Sequence, residues 1–461
     1  MQTILRRYRP MASGLCAAIL TACGAPVVGV QVVPASATLP PEAARVPRLH
    51  PPTLLRGATL WTATGAVLDA TDLLLRDNRI AAIGRDLPAP ADATIVDARG
   101  KIVTPGLVDL HSHLGVYPMP PGKAHADGNE MTQPTTPMVR AIDAFDPEDP
   151  AIARAVAGGV TTALILPGSG NVMGGQALYV KLHGRTVGEM ALPDAPRAMK
   201  WAMGENPKRV YGGRGTMPMS RLGHGWVMRK ALFEARDLLA QQRAWDDGSV
   251  RQGPRPHRPE LEPLVALLSG QVSLQVHCYE VHDIETLVRV AREFGFQVAA
   301  IHHALEAWKV PELLKDNRIA VATFADLWGF KLEAWDASVH APRILHEAGV
   351  VLALKTDHPV IDAHDFIFEA AKAHAYGLPE QAALQAVTRN PARAIGIGDR
   401  TGTLEVGKAA DVVVWPGSPL RVGAVPERVF VDGVQVLGDG RNLQAQWSDG
   451  PGTDARGVCC D

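Results

Sequence analysis

The chain has 461 residues, 46% of them hydrophobic, with 46 basic against 48 acidic side chains and a net charge of −2. That near-balance offers no basic surface for nucleic acid, and the length suits a barrel-sized core plus a second unit. Five scattered cysteines are too few for a disulfide framework.

The first element is not part of the fold. Arg6, Arg7 and Arg9 precede the apolar stretch MASGLCAAIL, and small residues follow. This is the pattern of a secretory signal, and about ten apolar residues fall short of the roughly 20 that span a bilayer. Leu20-Thr21-Ala22-Cys23 resembles the lipobox of bacterial lipoproteins. That implies a signal peptide over 1–22, lipid on the Cys23 sulfur, and a membrane tether on the periplasmic or outer-membrane side. The alternative is ordinary cleavage after Ala35-Ser36-Ala37. Residues 23–52 read as a Pro/Ala-rich tether.

Short strands and tight turns fill 53–105. The stretch DLLLRDNRIAAIG predicts a hairpin turning at Asp77-Asn78. The same character returns over 397–445, where Asp432-Gly433 signals a type I′ turn. Residues 446–461 read as a disordered tail containing Cys459 and Cys460.

Between them, 106–396 alternates strand and helix. The run VSLQVHCY predicts a strand, DIETLVRVAREFG a helix capped by Asp283 and stopped by Gly295, and QVAAIHH the next strand. RIAVATF, SVHAPRILHEAG and VVLALKTD continue the alternation. About eight such units would close a parallel barrel, whose active site lies at the C-terminal ends of its strands.

Ionisable groups finish several of these strands: His111 and His113, His277, His302 and His303, and Asp357. Residues two apart on a strand share a face, so His111 and His113 point together. Buried polar groups are costly unless paired or metal-bound. Imidazoles with a carboxylate suit Zn²⁺, and an open coordination position makes such a site catalytic.

TPGLVDLHSHLG, GGVTTALILPG, IHHALEAWK, LKTDHP, TRNPARAIGI and GTLEVGKAADVVVW together resemble the amidohydrolase superfamily. More narrowly they resemble its imidazolonepropionase-like, metal-dependent hydrolase branch. The resemblance implies an α/β fold, a (β/α)₈ TIM barrel with a small β-sandwich built from both chain ends. It implies that His111 and His113 bind the more buried ion, His277 and His303 a second, and that Asp357 touches metal and moves protons. His303 matches the family ligand better than His302, because it directly precedes Ala304. Two-metal relatives bridge their ions with a glutamate or a carboxylated lysine. Glu205 is the expected bridge, with Lys200, Lys181 or a single-metal site as alternatives.

The implied reaction is hydrolysis of an amide, peptide-like or cyclic-amide C–N bond by metal-activated water, with one or two divalent ions. The rivals are deamination at a ring carbon and a non-catalytic scaffold. Arg209 and Tyr211, with Lys331, are the expected holders of substrate. The Gly-rich PGSGNVMGG reads as a mobile loop over the barrel mouth, and Cys278 as a packing residue. A small-molecule amide substrate and a homo-oligomer are the expected partners.

Overall fold

The computed structural model describes residues 50–250, 253–327 and 329–438. The expected signal segment, Cys23, the expected tether up to residue 49, residues 439–445 and the last residues with Cys459 and Cys460 lie outside the described residues.

One eight-stranded sheet combines both ends of the described chain. Thr53–Trp61 lies at its centre, antiparallel to Val67–Arg76 and parallel to Thr94–Asp97 and Ile102–Pro105. Val412–Trp415 pairs with Ile102–Pro105 and carries Arg428–Val431 and Val434–Leu437 outward. Both predicted turns form. Asp77 and Asn78 have φ of 53° and 61°, and Asp432 and Gly433 have φ of 48° and 79°. Such left-handed pairs match the twist of tight hairpins. The sheet closes over its own apolar core, in which Leu55, Leu60, Leu73 and Val96 meet Leu404, Val412 and Phe430.

The second unit is a TIM barrel. Its parallel strands are Leu107–Ser112, Val160–Ile165, Arg197–Ala202, Val272–Cys278, Val298–His303, Ala320–Thr323 and Leu352–Leu354. The remaining ring position is filled by the antiparallel stretch Met173–Gln176 and Leu178–Lys181. Its first part pairs with Arg197–Ala202 and its second with Val160–Ile165. The ring closes where Asp357 N donates to His111 O at 2.9 Å and His113 N to His358 O at 3.1 Å. Helices such as Pro150–Ala157, Arg221–Asp246, Val281–Phe294 and Phe366–Ala375 cover the outside. Gly295 ends Val281–Phe294 with φ 75°, as predicted. Asp283 does not cap that helix. Glu280 holds the cap position, and the Asp283 carboxylate turns to Arg221 at 3.1 Å.

Strand burial explains the sequence pattern. Val160–Ile165 and Val298–His303 face the barrel interior on one side and helices on the other, so they read as near-continuous apolar runs. Among the described residues, no helix is long and apolar enough to cross a membrane.

Candidate metal centre

His111 lies on the strand Leu107–Ser112 and His113 just past its end, with rings edge to face at 5.1 Å. Asp357 follows Leu352–Leu354 and reaches both: its Oδ1 is 2.9 Å from His111 Nε2 and 3.2 Å from His113 Nε2. The ligand atoms of these three residues all lie within 4.8 Å of one another. His113 Nδ1 is 2.7 Å from Leu166 O. Donation from Nδ1–H to that carbonyl leaves the Nε2 lone pair for a metal.

His277 and His303 stand beside this triad, ring centroids 4.3 Å apart, and His303 Nδ1 is 3.6 Å from Asp357 Oδ2. Both nitrogens of His277 and of His303 are buried without a hydrogen-bond partner. Four orphaned imidazole nitrogens beside a buried carboxylate are costly in a dry interior, and a bound cation relieves that cost. The donor set therefore fits a divalent ion. Burial pushes His111, His277 and His303 well below the usual imidazole range, aided by Lys200 at His111, Lys331 at His277 and Lys355 at His303. All three are thus neutral at pH 7, as metal ligands must be. Burial alone would raise Asp357, but Lys355 and His111 hold it well below the usual carboxylate range.

His302 is the neighbour of a ligand, with its Nε2 2.8 Å from Gln275 Oε1. It belongs to the packing beneath the centre, 4.7 Å from the His111 ring.

The three candidates for a bridge separate clearly. Glu205 opens the helix Glu205–Gly212, one-third exposed, and its carboxylate lies 3.3 Å from Lys331 Nζ. Lys200, in the interior of Arg197–Ala202 and fully buried, brings its Nζ to 3.1 Å from His111 Nε2 and 3.5 Å from Pro167 O. Lys181 is buried elsewhere, paired with Asp411. Hence the structure brings Lys200 to the histidines and directs Glu205 to Lys331. The physical reason is alternation: Lys200 points into the barrel, and the chain has left the strand before Glu205.

The substrate-holding candidates also divide. Arg209 is exposed on the helix Glu205–Gly212. Tyr211 is 2% exposed, and its hydroxyl donates to Gln133 O at 2.6 Å, which fastens the loop 115–140. Lys331 lies nearest the centre. Its Nζ sits 4.1 Å over the Tyr279 ring, and that ring stacks on His303 at 4.9 Å.

PGSGNVMGG is not a mobile cover. It is largely buried under the loop 115–140, where Asn171 Nδ2 donates to Glu130 O, Gln133 O and Thr136 Oγ1 at 2.7–2.9 Å. A Cβ on Gly168 would come within 2.1 Å of Asn129. Cys278 is fully buried and burial pushes its thiol up, as suits a packing residue.

Sequence reasoning missed Lys355 and Tyr279. Lys355 is fully buried, lowered by burial to about 8, and lies 3.6 Å from Asp357 Oδ2. Each is two residues from a candidate ligand, Asp357 and His277. The same-face spacing that paired His111 with His113 was therefore available for both.

These features define a barrel of the hydrolase kind with a candidate histidine–carboxylate metal site. Residues 276–436 match the model of the amidohydrolase family. An amidohydrolase structure from Thermotoga maritima superposes with a TM-score of 0.79 at 38% identity, over 84% of this chain and 99% of that one. The chain is 40% identical to the amidohydrolase tasK of Hapsidospora irregularis across 84% of its own length but only 43% of that relative's. It is 27% identical to an imidazolonepropionase of Cupriavidus pinatubonensis, over 76% of this chain and 84% of that one. The chain belongs to the amidohydrolase family.

Proposed function

We propose that the protein is an exported hydrolase of small amides, linear or cyclic, that uses a divalent ion, zinc by its donor set, to cleave a C–N bond. The observation that carries this is the closed triad of His111, His113 and Asp357 at the catalytic end of the barrel. Burial holds the His111 imidazole uncharged, and two further histidines whose ring nitrogens lack partners, His277 and His303, stand alongside.

When bound, a divalent ion polarises the substrate carbonyl and activates water at neutral pH. His111 and His113 would hold one ion, and His277 and His303 would serve a second. Lys200 replaces Glu205 as the residue able to join two ions, in its carboxylated form. Asp357 stands at both ends of the proton path: it accepts the proton of the attacking water and delivers it to the leaving nitrogen. Its Oδ1 faces His111 and His113 and its Oδ2 lies 3.6 Å from His303, so the carboxylate stands between the two pairs of histidines. Tyr279 walls the pocket beside His303, and Lys331 above it offers an ammonium to a substrate carboxylate or carbonyl. Export rests on Leu20-Thr21-Ala22-Cys23, with Cys23 as the lipidated residue.

The test is a panel of dipeptides, N-acyl amino acids and lactams, assayed with zinc-loaded and chelator-stripped protein. The expected result is hydrolysis of at least one class, lost on stripping and restored by metal. His111→Ala and His113→Ala should each lose the tightly bound ion. Full activity in metal-free protein would overturn the reading.

A further inference from the structure

A cleft of about 520 Å³ lies at the opposite end of the barrel from the metal centre, a volume within the range of small-molecule sites. Charged residues, threonines and glycines line it, with no aromatic and no large aliphatic side chain. The helix Arg389–Ala394 forms one wall. It sits at the starts of two barrel strands: Val108 N donates to Val387 O at 2.9 Å, and Asn390 Nδ2 donates to Leu352 O at 2.8 Å. The far ends of those strands carry His111 and lead to Asp357.

The facing wall is the loop 396–408, and its charges are already spent on bracing it. Lys408 Nζ donates to Gly398 O at 2.8 Å and to Thr403 Oγ1 at 2.6 Å, and pairs with Glu405 Oε2 at 2.8 Å. Thr403 Oγ1 donates to the same Glu405 carboxylate. Arg389 and Arg393 are not spent in this way. Spaced i,i+4, they share one face of the helix, with Cβ atoms about 5–6 Å apart. Among the described residues neither guanidinium has a hydrogen bond or a close ion pair, and Arg389 acts on Glu405 only from a distance. Like charges at this spacing repel. The acids in the cleft are Glu405, already paired, and the exposed Asp399.

We propose that this cleft binds a phosphorylated polyol, a sugar phosphate in class, with its phosphate between Arg389 and Arg393. Two guanidinium forks present more donors than the two oxygens of a carboxylate can accept, whereas the three oxygens of a phosphate take a bidentate pair from each. The cleft is far larger than a phosphate alone. It offers no aromatic face to stack a base. Its remaining groups, the Asp399 and Glu405 carboxylates and the Thr64 hydroxyl, suit the hydroxyls of a sugar. None of these residues belongs to the metal centre, so the site stands or falls independently of the hydrolase reading.

The experiment is isothermal titration calorimetry of the metal-loaded, full-length protein, for wild type, Arg389→Gln and Arg393→Gln. The probes are glucose 6-phosphate, glycerol 3-phosphate, inorganic phosphate, tartrate and glucose. Wild type should bind at least one of the two phosphate esters at least tenfold more tightly than inorganic phosphate, tartrate or glucose. Each variant should weaken that binding at least tenfold. Both should keep the wild-type urea midpoint, because neither side chain holds another described residue. No binding of either ester to wild type would overturn the site. Binding that survives in both variants would place the anion elsewhere, at the metal centre above all, and would also overturn it. Inorganic phosphate bound as tightly as the esters would mean an adventitious ion only. Equal affinity for tartrate would overturn the assignment to phosphate.

Discussion

Lys181→Met should cost stability and leave the metal centre untouched. Lys181 lies on the barrel stretch Leu178–Lys181 and is 2% exposed, as is Asp411 beside the sheet strand Val412–Trp415. The two form an ion pair that joins barrel to sheet, with Asp432 Oδ1 3.6 Å from the ammonium. Methionine fills the space but leaves Asp411 charged and buried. Removing one partner of a buried pair costs about 3–5 kcal/mol. Asp411 keeps two donors, Thr401 Oγ1 at 2.7 Å and the Asp432 amide at 3.1 Å, which places the loss at the lower end. A loss of about 3 kcal/mol raises the unfolding constant roughly 100-fold. Urea unfolding at neutral pH reads it as a lower midpoint at similar slope. Lys181→Met with Asp411→Leu should recover most of the loss, because two apolar partners leave no stranded charge. Metal content should match wild type in both. Unchanged stability together with lost metal would refute this assignment and return Lys181 to the site.

Asp357→Asn keeps shape but loses the base, so kcat should fall about 10²–10⁴-fold with at least one ion retained; near-normal turnover in metal-loaded variant enzyme would exclude its proton-transfer role. Lys331→Met should mainly raise KM for substrates carrying a carboxylate, and a fall in kcat at constant KM would place Lys331 in the chemistry instead. Burial lowers His224 from 6.5 to about 4, so over that range the unfolded chain binds a proton that the folded chain refuses. Stability then falls as pH falls, by up to about 1.4 kcal/mol per unit for this group. His224→Asn should make the acid limb of urea stability shallower, and an unaltered slope would contradict the burial argument. Mass spectrometry of the native N-terminus should find lipid on Cys23, and an unlipidated chain beginning beyond it would end the anchor reading.

Much of the fold was legible because its signals are local. Asp77-Asn78 and Asp432-Gly433 specify left-handed turns by residue type alone, and Gly295 ends a helix for the same reason. The antiparallel stretch Met173–Lys181 was not legible. MGGQALYVK has ordinary strand composition, and direction is set by which neighbours it meets, Val160–Ile165 and Arg197–Ala202. That Glu205 turns to Lys331 and Lys200 to His111 was hidden for a related reason. RAMKWAMGE offers both Lys200 and Glu205, and only the strand's end at Ala202 shows that the glutamate has left the barrel interior.

The choice between His302 and His303 shows where pattern ends and three-dimensional closure begins. Alternation along Val298–His303 allows one of two adjacent residues to face inward. His302 turns to Gln275 beneath the centre, and His303 reaches the other histidines because the chain turns at the strand's end: His303 has φ 67° and Ala304 φ 46°. Asp357 repeats the device at φ 56°. Residues held in this left-handed region cost about 1–3 kcal/mol each unless the surroundings impose them. Here they are imposed by closure of the ring. Ala304 N donates to Cys278 O at 2.8 Å, and Asp357 N to His111 O at 2.9 Å. The strained positions are thus tied to the strands that carry the partner ligands, His277 and His111. A ligand set assembled in this way is fixed by the barrel itself, so the imidazoles and carboxylate are already in place before a cation arrives. Two buried lysines lie beside this set, Lys200 on Arg197–Ala202 with its Nζ 3.1 Å from His111 Nε2 and Lys355 just past Leu352–Leu354 with its Nζ 3.6 Å from Asp357 Oδ2. The apolar neighbours of both in the sequence gave no sign of a charge facing inward.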